Sequence, residues 1–429
     1  MDCSHYEKLM AENEIGLTQS EIENYKTNGQ KLLDESFNQR LNLHATLPKL
    51  SKECKSKLKI LFTKMRRKED YIGSLFYKTP QIPPEAINYK KDPAPLITGQ
   101  PYPYHLAIEK DKFEFKSGDI IISKGVSFTS STISSVTNPT AVFSHIILVH
   151  VDLVTKKVET MESYIGMGVK IFSVEEALKN ENARILVLRL KDQTLAQAAA
   201  DYMYKRIKKS EADESPIPYD YDLDFRDNSK LSCEEIAYDS LKTTSRNNFI
   251  IPEIPSRVEF KDGEFIKKIG LKSGDIMFPG DMEVDSRFNI VLDWTDFKVI
   301  RDNNRKDAVS SEIFRWMNVY DYKIHKSLRS QLAGLVWSTR HIPGLWHIMA
   351  KIAGIPSDLK KDVPHAAITT LESIKEIAGL MLSYLSHADE EIHLRLGRWM
   401  STNELHEALE KYRTSHPEKL EKLFSSTKS

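Results

Sequence analysis

The sequence predicts an α+β fold in which a mostly antiparallel sheet in the middle of the chain is flanked by helical segments on both sides. Two observations carry this. Apolar residues alternate with period two in four stretches between Asp119 and Leu188, and recur with helical spacing before and after them. Helices also interrupt the strands, near Thr194–Lys209 and again from Ser232, which separates the class from a sandwich or a bundle. With 429 residues, 40% hydrophobic and 28% charged, the chain can bury a full core and has the length of two or three domains.

Taken in order, residues 1–78 read as a helical segment. A first helix over 18–41 opens on Ser20, Glu21, Ile22 and Glu23, a capping-box pattern, and spaces Ile22, Tyr25, Leu32 and Leu33 along one face. A second, over 56–77, aligns Leu58, Leu61, Phe62 and Met65, while the basic run Lys64, Arg66, Arg67 and Lys68 reads as a solvated face. Residues 79–111 carry seven prolines, at 80, 83, 84, 93, 95, 101 and 103, which forbid a continuous helix or central strand, so this stretch reads as a linker or strap.

The sheet domain is expected over 112–304, with strands at Asp119–Ser123, Ser144–Val149, Val158–Ser163 and Ala183–Leu188. Lys116-Ser117-Gly118-Asp119-Ile120 recurs as Lys272-Ser273-Gly274-Asp275-Ile276; each reads as a tight turn feeding a strand, glycine supplying the unusual backbone angle. Residues 305–429 return to helical spacing, through Leu371, Ile374, Ala378, Met381 and Leu385, then Leu405, Ala408, Leu409 and Tyr412. Within them, 332–355 is rich in Leu, Trp and Ile but is interrupted by Arg340, His341, Pro343, His347 and Lys351, too often for a membrane span. It reads as a buried helical hairpin, the alternative being a peripheral membrane contact through Trp337 and Trp346.

The chemistry gathers in the middle domain. Ser232 and Glu235 form a capping box that places Cys233 at the first helical position, where the helix dipole and a nearby imidazolium would lower the thiol pKa and free N–H groups could hold an oxyanion. A cysteine near a helix start is often merely buried structure, so the case needs partners. His145 opens a strand and shares a face with Ile147 and Val149, and His150 faces oppositely. Glu162, on the next strand between Met161 and Ser163, is chosen over Glu159 to orient the His145 ring, since a carboxylate there without a partner would be costly. The acidic run Asp220–Asp227 lacks the glycine and closing glutamate of a calcium loop, so no metal and no cofactor is expected.

Together Phe115–Ile121, Phe143–Val149, Tyr219–Phe225 and Ser232–Glu235 resemble the YiiX-like, circularly permuted branch of the NlpC-type papain-like cysteine hydrolases. His145 precedes Cys233 by about 90 residues, the order of that branch and of the related lecithin retinol acyltransferase family. Gly270–Ile276 and Asp285–Phe288 look like the closing part, so the resemblance covers roughly 112–295 and not the helical flanks. It implies a permuted papain-like domain with Cys233 as nucleophile, His145 as base, Glu162 as the third polar residue and Tyr221 near the oxyanion. In this branch a tyrosine or similar residue often precedes the cysteine; here it is Ser232.

The expected activity is thus a thiol hydrolase of amidase or peptidase type working through an acyl-enzyme. The rivals are lipid acyl hydrolysis or transfer by the same residues, and a non-catalytic scaffold whose helical flanks grip a protein partner. Lys plus Arg and Asp plus Glu both total 61, so no global field draws the chain to nucleic acid. Cys3, Cys54 and Cys233 lack the spacing of zinc sites or a disulfide framework, and Met1–Leu17 has no signal-like apolar run. These point to a reducing, cytoplasmic setting, with injection of a bacterial protein into a host cell as the further alternative.

Overall fold

Why the middle of the chain forms a sheet is visible in its burial. In the computed structural model β2 (Ile120–Gly125), β3 (His145–Val151) and β6 (Asn182–Leu190) are largely apolar on both faces, and these and β4 (Val158–Tyr164) are covered on both. The structure describes residues 3–77, 104–107, 113–137, 141–179, 182–258, 274–324, 328–338, 340–341, 365–421 and 424–426. With β1 (Tyr104–Leu106), β5 (Gly168–Ser173) and β9 (Phe288–Thr295), these strands form a sheet in the order β1-β9-β6-β2-β3-β4-β5, every pair antiparallel. Two-stranded pairs β7 (Ser256–Val258) with β8 (Gly274–Ile276), and β10 (Tyr322–Ile324) with β11 (Phe424–Ser426), complete the strands described.

One face of the sheet, through Ile122, Ile146, Leu148, Leu186 and Leu188, packs on helix Gln193–Ala212 and on helix Cys233–Thr244. The other, through Ile121, Ile147, Val149, Ile185 and Val187, packs on Ile22, Tyr25, Leu33, Ile72 and Leu75 of helices Gln19–Thr46 and Lys52–Phe76. A further core joins helix Phe297–Tyr320 to His365–Leu396 and Thr402–Ser415 through Val309, Ile313, Ile374, Met381, Leu385, Leu405 and Leu409.

Several expectations need correction. The first capping box is made by Thr18 and Glu21, because the helix starts at Gln19. Within the basic run of the second helix Arg66 is not on a solvated face, whereas Lys64 and Lys68 make exposed contacts. Arg66 is 0% exposed and its guanidinium bonds Glu283 and Asp293 (Nε to Glu283 3.1 Å, Nη1 to Asp293 Oδ2 3.0 Å), while Arg40 bonds Glu69 and Asp293. These carboxylates lie over 200 residues away from Arg66 in the chain, so no local pattern could pair them. The sheet begins with β1, an edge strand inside the expected linker, which suits a proline-rich neighbourhood. The boundary expected at 304/305 falls inside helix Phe297–Tyr320, whose Asp307 takes the buried Lys124 at 2.7 Å.

Cys3 and Cys54 are disulfide-bonded, with Cα atoms 5.3 Å apart, tying helix Ser4–Glu12 to helix Lys52–Phe76. The expectation that these cysteines form no disulfide framework therefore fails for this pair. The proline strap through 103, Lys272, Ser273 and Trp346 lie outside the described residues. Gly118 does take a positive φ of 82°, as the turn reading requires, and a Cβ there would meet the Ala196 carbonyl oxygen at 2.4 Å. Trp337 is buried on helix Leu328–Ser338, as the hairpin reading requires of it, and among the described residues no helix is long and apolar enough to cross a membrane.

Candidate active site

The site forms where two strands part. β3 and β4 pair from Val151–Val158 to Leu148–Met161 and no further, although both run on for three more residues. Into that opening comes the start of helix Cys233–Thr244. Ser163 Oγ donates to the Leu231 carbonyl at 2.6 Å, and the Ile146 N–H lies close enough to the Cys233 sulfur to favour its charged form. His145, on the other face of β3 from Ile146, thereby comes within electrostatic reach of Glu234 on that helix.

His145 Nε2 and Glu162 Oε2 lie 3.0 Å apart, and Glu162 is 0% exposed. The same carboxylate accepts from Tyr164 Oη at 2.5 Å and from Thr160 Oγ1 at 2.9 Å. Tyr164 stacks on the imidazole with ring centroids 4.9 Å apart, fixing its plane. With Nε2 taken by Glu162, Nδ1 is the ring nitrogen left to exchange a proton. The choice of Glu162 over Glu159 agrees with this geometry: Glu159 faces Lys157 and Tyr204 instead. Tyr164 and Thr160 were not singled out in the sequence, yet they share Glu162's face by simple alternation.

Cys233 stands at the first turn of its helix, 6% exposed. The Ser232 N–H donates to Glu235 at 2.7 Å, the expected half of the capping box; the buried Ser232 hydroxyl has no partner among the described residues. One neighbour went unread in the sequence: Cys233 Sγ donates to Glu234 Oε2 at 3.1 Å. Burial first, then the Glu234 carboxylate, push the thiol well above its ordinary pKa, against the pull of the Ile146 and Glu234 N–H groups. This reverses the expected lowering. Burial also raises Glu234 and lifts Glu235 to about 8.

The Tyr221 hydroxyl accepts from the Gly166 N–H at 3.2 Å, and its ring meets Tyr219 edge-on at 5.0 Å. Tyr219 is the tyrosine whose phenol is held up by burial and by the charges of Cys233 and Glu234. Asp220, between them, is spent on the Asp222 and Asp224 N–H groups and on Lys230. Among the described residues no three His, Cys, Asp or Glu side chains are gathered as a metal site. A cleft of about 160 Å³, lined by Lys59, Thr63, Thr137, Val142, Ser256 and Gly280, opens beside the chain leading into β3 and includes none of the three residues above.

Among solved structures, the chain is similar to metalloprotein yiiX from Escherichia coli O157:H7. The two share 16% identity with a TM-score of 0.32, over 43% of this chain and 99% of that one. No family model and no curated protein matches the sequence.

Proposed function

We propose that the chain is a thiol hydrolase of amidase or peptidase type, with its middle domain a permuted papain-like unit and Cys233, His145 and Glu162 as its working residues. The observation that carries this is the buried Glu162 carboxylate on His145 Nε2, shared with Tyr164 and Thr160. It holds one tautomer and leaves Nδ1 as the base, on a ring within electrostatic reach of Glu234, the residue hydrogen-bonded to Cys233 at the helix start. In the reaction the Cys233 S–H proton passes to His145 Nδ1 and the sulfur bonds the substrate carbonyl carbon. The Nδ1 proton then goes to the departing amine, and a water, deprotonated by the same nitrogen, releases the acid. Backbone N–H groups at the helix start can receive the oxyanion.

A second reading, lipid acyl chemistry, uses the same residues, but Trp337 is packed inside rather than offered to a lipid surface. A non-catalytic scaffold would leave Cys233 buried without partners, whereas it bonds Glu234. The test is incubation of native protein with activated esters and peptide amides, read by intact mass, for wild type, Cys233→Ala and His145→Ala. A covalent acyl adduct that needs both residues is the expected result. No adduct with any acyl donor, or an adduct indifferent to His145, rejects the dyad.

A further inference from the structure

We infer that Glu234 is a positioning residue that governs protonation of the nucleophile: its carboxylate accepts the Cys233 S–H at rest, and catalysis requires that contact to open. This rests on the thiol hydrolase reading. Among the described residues Cys233 donates to Glu234 and His145 bonds Glu162, but no hydrogen bond joins the sulfur to the imidazole. The resting proton therefore sits between sulfur and carboxylate, where the proposed base does not hold it.

The surroundings reinforce the contact. Glu234 is buried, and the charged and titratable groups facing the pair are His145 from β3, Tyr219 from the preceding loop and Glu235 on the same helix, with Glu162 of β4 behind His145. His145 favours the Glu234 carboxylate, whereas a thiolate 3.1 Å from that carboxylate would face a like charge in a site sheltered from water. Once Glu234 turns away or is neutralised, the S–H bond can break and an N–H bond form at His145 Nδ1, with no oxidant or reductant required. A substrate that displaces Glu234 thereby unlocks its own nucleophile.

Cys233 is the one free cysteine among the described residues, so its alkylation by iodoacetamide can be followed across pH by intact mass. Glu234→Gln should move the midpoint of the rate profile down by about one unit, giving roughly tenfold faster alkylation at neutral pH. Glu234→Ala should move it in the same direction. An unmoved midpoint in both folded variants overturns the inference. If neither variant folds, the Raman S–H band of the wild type decides. A band typical of a bonded thiol, changing as Glu234 is protonated, supports the contact; a band of an unbonded thiol throughout overturns it. Faster alkylation in Glu234→Gln with no acyl adduct from any donor would leave this coupling standing and remove the hydrolase reading. An acyl adduct with an unmoved midpoint would do the reverse.

Discussion

Glu162 is held by three side chains at once, His145, Tyr164 and Thr160, and this buried carboxylate can do its work only if each keeps its place. Replacing it by Gln keeps the shape but loses the carboxylate charge that holds the His145 ring. If the proposed hydrolase reading holds, Glu162→Gln lowers kcat/KM about 10²–10⁴-fold on any amide or ester that is turned over, while Cys233 remains open to alkylation. Steady-state kinetics on the best acyl donor measures it; an unchanged kcat/KM would remove Glu162 from the site. His44 makes a separate point about pH. Burial lowers it from 6.5 to about 4, so the unfolded chain binds its proton more tightly than the folded one. Stability from this group is complete above pH 6.5 and is lost as pH falls toward 4, by on the order of 3 kcal/mol. Urea unfolding from neutral to mildly acid pH should show that slope in wild type and a flatter one in His44→Phe. At this scale the sequence was informative where a residue's neighbours lie in its own strand, as for Glu162, and silent for Glu234, whose acidic side chain in a first helical turn reads as ordinary dipole complementation.

At the level of elements, helix Lys52–Phe76 shows why a helical pattern is not enough to say what a helix does. Its apolar stripe was legible and is buried, yet Arg66, Glu69 and Asp70 are buried too, facing Arg40, Glu283, Asp293 and Arg184. Arg66→Met would leave Glu283 and Asp293 short of a positive charge in a dry interior, costing about 3–5 kcal/mol. Urea denaturation should show the loss, and adding Glu283→Gln and Asp293→Asn should recover part of it. A cost below about 1 kcal/mol would mean that the network relaxes. Strand β9 went unread for the same reason: Asp293 in its middle breaks the apolar pattern, and the arginines that permit it there come from the first two long helices. The parting of β3 and β4 is likewise an element-level event, since each strand alone reads as continuous.

For the whole molecule, the flanks are part of the body that carries the site. The N-terminal helices cover one sheet face, the disulfide ties the chain's start to them, and helix Phe297–Tyr320 crosses the boundary expected from the sequence. A fragment spanning 112–304 should therefore not fold. It would strip Arg40 and Arg66 from Asp293 and Glu283, and Asp307 from Lys124, each of them buried. Circular dichroism and dye binding to exposed apolar surface would check this; a cooperative melt from the isolated fragment would show that the middle domain stands alone.

The sequence by itself determined local matters: that the stretches of β2, β3, β4 and β6 become strands, that His145 begins one of them, that Glu162 lies on the next, and that Cys233 opens a helix. Each follows from periodicity or capping within about a dozen residues. Only the tertiary structure decided the rest, namely the partners of the buried arginines, the Cys3–Cys54 bond and the parting of the sheet that admits the Cys233 helix. Hydrophobic periodicity records which side of an element meets the core. The charges and strand ends that meet one another there are set by packing between segments far apart in the chain, and no local pattern encodes that pairing.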